Sequence, residues 1–168
     1  EMRELGFNYN LSPVADVPSK KSSGGFSQIG SRGVEAEPDM AMEAIKEYCQ
    51  TISSEGVNCT LKHFPGIGSV SEDTHFDLGI IDNPINEVML SHTLVTSIDP
   101  DNPVSVSKSG IEFLKSINSQ AKTITDDMSM LPISQGIGIK KAYQKSIEAG
   151  VDYVLISYDK DLVYWLYD

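Results

Sequence analysis

Residues 38–63 read PDMAMEAIKEYCQTISSEGVNCTLKH, and the pattern in this stretch decides the fold class. Over 38–54 the apolar residues Ala41, Ala44, Ile45, Tyr48, Cys49 and Ile52 recur three and four positions apart, which gathers them on one face of a helix. Pro38 suits the first helical turn and Gly56 a stop. The residues that follow, 58–63 (NCTLKH), read as a short strand that ends on Lys62 and His63. A helix that delivers the chain into a strand ending in chemically active groups is one unit of a parallel α/β sheet.

The same alternation extends in both directions. Further strands are expected at 7–13 (FNYNLSP), 87–92 (EVMLSH), 122–126 (KTITD) and 151–157 (VDYVLIS), each bounded by turn residues. Helices are expected at 108–117, with Ile111, Phe113, Leu114 and Ile117 on the inner face. A third, at 139–149, carries Ala142, Tyr143, Ile147 and Ala149 and ends at Gly150. The segment 19–30 (SKKSSGGFSQIG) reads as a surface loop. Asp16, His63, His75, His92 and Asp126 all fall at or just after the carboxyl ends of these strands. In parallel sheets and barrels that end is where ligands bind.

Composition narrows the function classes. The chain has 168 residues, 40% hydrophobic and 22% charged, enough for a packed core. A formal net charge of -11 with no long basic run argues against nucleic acid and anionic membrane surfaces as partners. No run of about 18 apolar residues exists, so no transmembrane segment is expected. Cys49 and Cys59 stand in no metal-ligand or CxxC spacing and read as buried free thiols. The chain opens on Glu1 with no Met and no signal peptide, and reads as a fragment or mature segment.

Two segments carry chemistry. In 62–75 (KHFPGIGSVSEDTH) the chain breaks at Pro65, Gly66 and Gly68 and then offers Asp73 and His75 two residues apart. A carboxylate accepting from one ring nitrogen orients the other for proton transfer, and histidine titrates near neutrality, as a general acid/base should. The plain alternative is a solvated loop. In 123–130 (TITDDMSM) Asp126 and Asp127 follow an apolar strand directly. One of two adjacent carboxylates can face the mouth of a sheet as nucleophile while the other points away; equally, the pair could merely cap the helix that follows.

Together these segments resemble glycoside hydrolase family 3, and most closely its bacterial β-N-acetylhexosaminidase branch. The resemblance rests on KHFPGIG, on the triplet Asp73-Thr74-His75 and on TDDMSM. LGFNYNLSPVADV at 5–17, Gly-Ser-Arg at 30–32 and AGVDYVLIS at 149–157 extend it, in the family's order, over nearly the whole chain. It implies a TIM (β/α)8-barrel type fold, here an incomplete barrel with about five parallel strands over residues 1–168, lacking the first strands and the last. It implies a retaining glycosidase in which Asp126 attacks the anomeric carbon and His75, oriented by Asp73, is acid/base. Arg32, Lys62 and His63 would hold the sugar. For Asp16 and His92 a supporting role behind the site and a purely structural one are both open.

The resemblance implies no cofactor, and the three histidines lack metal-ligand spacing. The implied partner is a carbohydrate bearing terminal β-linked N-acetylglucosamine, in a bacterium from peptidoglycan fragments. The compartment, cytoplasm or cell envelope, is left open. A homo-oligomeric partner or the remainder of a barrel would cover the open sheet edges. The chain departs from the family at Ile67, where many relatives carry a second histidine, and in the short crossover 78–90 (LGIIDNPINEVML), where relatives insert a helix. A β-glucosidase-like member would take its acid/base from a glutamate elsewhere, which the 73–75 triplet argues against. The reading from another class is a non-catalytic carbohydrate-binding or interaction protein built from a truncated barrel.

Overall fold

A computed structural model of the chain describes residues 1–17, 32–34, 37–67, 87–157, 161 and 164. They form a parallel α/β arrangement in two units, Glu1–Met89 and Leu90–Asp168. The elements are β1 (Tyr9–Asn10), α1 (Pro38–Ser54), β2 (Asn58–Phe64), β3 (Glu87–Leu90), α2 (Lys108–Ile117), β4 (Lys122–Thr125) and α3 (Ile139–Ala149). The strands follow chain order, β1-β2-β3-β4, and β3 straddles the division between units.

In the first unit α1 buries a narrow seam of Ala41, Ile45 and Cys49 at fourfold spacing, with Ile52 half-buried. Ala44 and Tyr48, expected on that face, are exposed. The Tyr48 hydroxyl instead accepts from Asn10 at 3.0 Å and donates to Ser12 at 3.2 Å. The helix stops at Gly56, whose φ of +75° only glycine adopts without strain. Ile45, Cys49 and Cys59 then form a core with Ala15, Val34 and Leu61 packed against it.

That packing corrects the expectation of free thiols. Cys49 and Cys59 form a disulfide with their Cα atoms 5.3 Å apart, within the span a disulfide bridges. The ten-residue separation is no recognised motif. The two sulfurs meet because the buried seam of α1 packs against β2.

β1 pairs with β2 in parallel, Tyr9 opposite Asn58 and Asn10 opposite Cys59. Beyond β1 the chain stays alongside β2, with an isolated parallel bridge from Val14 to Lys62. Ala15 N–H donates to the Lys62 carbonyl at 2.6 Å, and Lys62 N–H to that of Pro13 at 3.2 Å. The ladder carries Asp16 to the level of His63.

In the second unit Ser107 caps α2, its hydroxyl accepting from Gly110 N–H at 3.0 Å while donating to Asp99 at 2.7 Å. Gly110 is buried against the 3-10 turn Val104–Val106, where an added Cβ would lie 3.1 Å from the Val104 side chain. Val106, Met128, Ile133 and Ala142 make the core. Ile117 and Ile147, expected on inner faces, are 37% and 49% exposed, while Ser146 is fully buried. The Ser146 hydroxyl donates to the Tyr143 carbonyl at 2.7 Å, so its buried oxygen has a partner within the helix. The expected fifth strand lies beside β4 but holds only one bridge, Ile124 to Tyr153. Among the described residues no helix is long and apolar enough to cross a membrane.

Candidate active site

The carboxyl end of β2 holds the first cluster, in the Glu1–Met89 unit. Asp16 is fully buried at its side chain and takes three donors. Its Oδ2 accepts from His63 N–H at 3.0 Å and from His63 Nδ1 at 2.8 Å, and its Oδ1 accepts from Ile67 N–H at 2.6 Å. A carboxylate only accepts, so the Nδ1 of His63 carries the hydrogen in this bond. One side chain thereby pins the start and the end of the HFPGI turn. Gly66 within it has φ +128°, a conformation closed to other residues without strain.

Lys62 is half-buried on β2 beside His63. Arg32 is exposed on the segment 32–34, whose Val34 N–H donates to the Asp16 carbonyl at 2.9 Å. At the far end of the same unit burial pushes the Glu87 carboxyl up, against hydrogen bonds from Tyr9 and Thr60 that lower it. Asp73 and His75 lie outside the described residues.

The second cluster sits in the Leu90–Asp168 unit, where Asp126 N–H donates to the Leu90 carbonyl at 2.9 Å and so fixes the exit from β4 beside the end of β3. The two acids that follow β4 have different surroundings. Asp127 is buried and its Oδ1 accepts from Ser129 N–H at 3.0 Å, Ser129 Oγ at 2.6 Å and Ser157 N–H at 3.3 Å, while its Oδ2 accepts from the Ser157 hydroxyl. Burial pushes this carboxyl up, but the bonds from Ser129 and Ser157 outweigh it and hold the group below the ordinary carboxylate range. Asp127 is thus spent on closing its own turn and on holding Ser157. Asp126 is less buried, and its Oδ1 accepts from Asp127 N–H at 2.9 Å.

His92 stands two residues beyond β3. Its Nδ1 meets Ser105 Oγ at 2.7 Å and its Nε2 meets the Asp127 carbonyl at 2.9 Å. A carbonyl can only accept, so Nε2 donates. Burial pushes the imidazole down, offset in part by that backbone bond and by the charges of Asp126 and Asp127, which favours the neutral ring. In a neutral ring Nδ1 must then accept from the Ser105 hydroxyl.

Ser105, Ser129 and Ser157 were not singled out in the sequence. Only Ser129 had a local signal there, two residues after an aspartate, the spacing of a side-chain turn. Among the described residues no cluster of three or more histidine, cysteine or acidic side chains could hold a metal ion.

The model of the glycosyl hydrolase family 3 N terminal domain matches residues 1–87 and 76–165. The beta-hexosaminidase of Xylella fastidiosa strain M23 is 28% identical over 177 residues, covering 93% of this chain and 51% of that protein. Beta-hexosaminidase LpqI of Mycobacterium tuberculosis is 27% identical over 181 residues, covering 92% of this chain and 46% of that protein. The chain therefore spans about half the length of the curated relatives it matches.

Among solved structures, M tuberculosis LpqI superposes with a TM-score of 0.79 at 27% identity, over 98% of this chain and 55% of that one. A glycoside hydrolase family 3 β-N-acetylglucosaminidase from Paenibacillus sp. str. FPU-7 superposes with a TM-score of 0.78 at 26% identity, over 93% of this chain and 33% of that one. With the family model matched along nearly its whole length, the chain belongs to glycosyl hydrolase family 3.

Proposed function

We propose that this protein is a retaining β-N-acetylhexosaminidase acting on terminal β-linked N-acetylglucosamine, with peptidoglycan fragments as its natural source of substrate. Residues 1–168 form part of a (β/α)8 barrel, whose substrate mouth lies at the carboxyl ends of its strands. Asp126 is the nucleophile. It attacks the anomeric carbon as the bond to the aglycone breaks, while His75, oriented by Asp73, gives its proton to the departing oxygen. In the second half His75 takes a proton from water, whose oxygen displaces Asp126 from the sugar. Arg32, Lys62 and His63 hold the sugar hydroxyls, and Asp16 keeps His63 in place.

The observation that carries this reading is the contrast between the two adjacent acids. Asp127 accepts four hydrogen bonds, two from Ser129 in its own turn and two from Ser157 thirty residues further along the chain. Asp126, directly after β4 and less buried than Asp127, is the carboxylate this reading assigns to chemistry. The beta-hexosaminidase names of the relatives support the substrate class. The test is hydrolysis of a chromogenic β-N-acetylglucosaminide by the full-length protein. Turnover that is lost in Asp126→Asn and strongly reduced in His75→Ala supports the proposal. Binding of N-acetylglucosamine with no turnover overturns it in favour of a carbohydrate-binding protein.

A further inference from the structure

The imidazole of His92 makes two bonds that join three separate pieces of chain: the end of β3, the 3-10 turn at Ser105, and the turn that follows β4. Ser105 is fully buried and is itself held, its N–H donating to the Ser91 carbonyl at 3.1 Å. The Nε2 bond ends on the carbonyl of Asp127, one peptide unit beyond Asp126. From the structure we infer that His92 is a positioning residue for the nucleophile: its Nε2–H clamps the Asp127 carbonyl and so sets the direction in which the Asp126 carboxylate points.

The inference rests on Asp126 as nucleophile, and the geometry gives it content. Asp126 N–H is tied to the Leu90 carbonyl, and its Oδ1 accepts from Asp127 N–H. The peptide between Asp126 and Asp127 therefore carries the nucleophile's own hydrogen bond, and the Asp127 carbonyl stands just across the Asp127 Cα from it, so holding that carbonyl limits rotation of the turn that places the N–H. His92 opposes this rotation only while its proton sits on Nε2. The hydroxyl of Ser105 selects that arrangement, because it can donate to Nδ1 and no second ring hydrogen is needed. The Asp127 side chain cannot do the same work, since its oxygens are directed to Ser129 and Ser157.

The experiment compares His92→Gln, His92→Asn, Ser105→Ala and Asp126→Asn in the full-length protein, with a chromogenic β-N-acetylglucosaminide as substrate. A glutamine amide nitrogen reaches the place of Nε2 and can still donate to the carbonyl; the shorter asparagine reaches only the place of Nδ1. His92→Asn is expected to lower kcat by about 10²-fold with KM little changed, the scale of an ångström of misplacement. His92→Gln is expected to recover most of that loss, and Ser105→Ala to lie between the two. Ser105→Ala keeps the ring in place and gives an independent reading should His92→Asn not fold.

Equal kcat per folded molecule in the wild type and in both the His92→Asn and Ser105→Ala variants overturns the inference, whatever happens to thermal stability. Equal losses in His92→Asn and His92→Gln overturn it as well. Full activity in Asp126→Asn defeats the nucleophile reading itself. An inactive Asp126→Asn beside a fully active His92→Asn defeats only the positioning role.

Discussion

Replacing Asp16 by asparagine preserves shape and nearly preserves volume, yet the hydrogen-bond pattern predicts a large loss of stability. Oδ2 accepts two hydrogens, both from His63, and Oδ1 accepts one from Ile67 N–H. An asparagine offers one oxygen and one NH₂ group. Turned one way, the NH₂ faces the Ile67 amide, whose nitrogen lies 2.6 Å from the carboxylate in the native site. Turned the other way, it faces the His63 amide; the imidazole can shift its proton to accommodate this, but the backbone N–H cannot. Either orientation leaves a backbone donor against a donor with its side chain fully buried.

Losing one bond to a charged group costs about 1.5–3 kcal/mol, and the two bonds that remain weaken once the acceptor is neutral. The expected total is about 2–4 kcal/mol. For a chain of this size that lowers Tm by about 5–15 °C. Circular dichroism melts and urea titrations of the wild type, Asp16→Asn and Asp16→Ala provide the measurement, with the urea m-value checked for constancy. Asp16→Asn within about 0.5 kcal/mol of wild type, the ordinary range for a surface substitution, would refute the reasoning, because three donors could not then converge on one carboxylate.

Other consequences follow from the same bonds. Asp126→Asn is expected to abolish glycoside hydrolysis while leaving Tm close to wild type, since an asparagine oxygen can still accept from Asp127 N–H; a melt and a turnover assay on the same sample check both. Cys49→Ser with Cys59→Ser should lower stability by about 2–3 kcal/mol, as expected for a short closed loop, and the native protein should show no thiol reactive to a chromogenic disulfide before reduction. His92 has a folded-state pKa below its ordinary 6.5. As pH falls below that value the unfolded chain takes up the proton first, so the contribution of His92 is complete above 6.5 and declines as pH drops toward the lowered folded value. Urea midpoints of the wild type minus those of His92→Gln, taken across that window, should show the decline.

Much of the architecture was readable locally. Helix bounds such as Pro38–Ser54 and Lys108–Ile117 follow from apolar spacing, a proline at the start of the first, a serine cap before the second and stop signals. Faces were less legible. Ala44 and Tyr48 share a stripe with Ile45 and Cys49, but how wide a stripe is covered depends on the neighbour, and β2 covers only the seam through positions 41, 45 and 49. Ile147 and Ser146 reversed for the same reason: the helix turns its Ser146 side inward, and Ile147 stays half exposed.

By itself, the sequence determined the alternation of helices and parallel strands, the placement of Lys62, His63, His92 and Asp126 at strand ends, and the motifs of the family. These depend on periodicity and order, which are properties of neighbours along the chain. Only the tertiary structure decided that Asp127 holds Ser157, that Asp16 serves His63 and Ile67, that His92 grips the Asp127 carbonyl, and that the two cysteines are joined. A hydrogen bond or a disulfide between residues ten to fifty positions apart requires ångström-scale approach, and that approach is set by how whole elements pack.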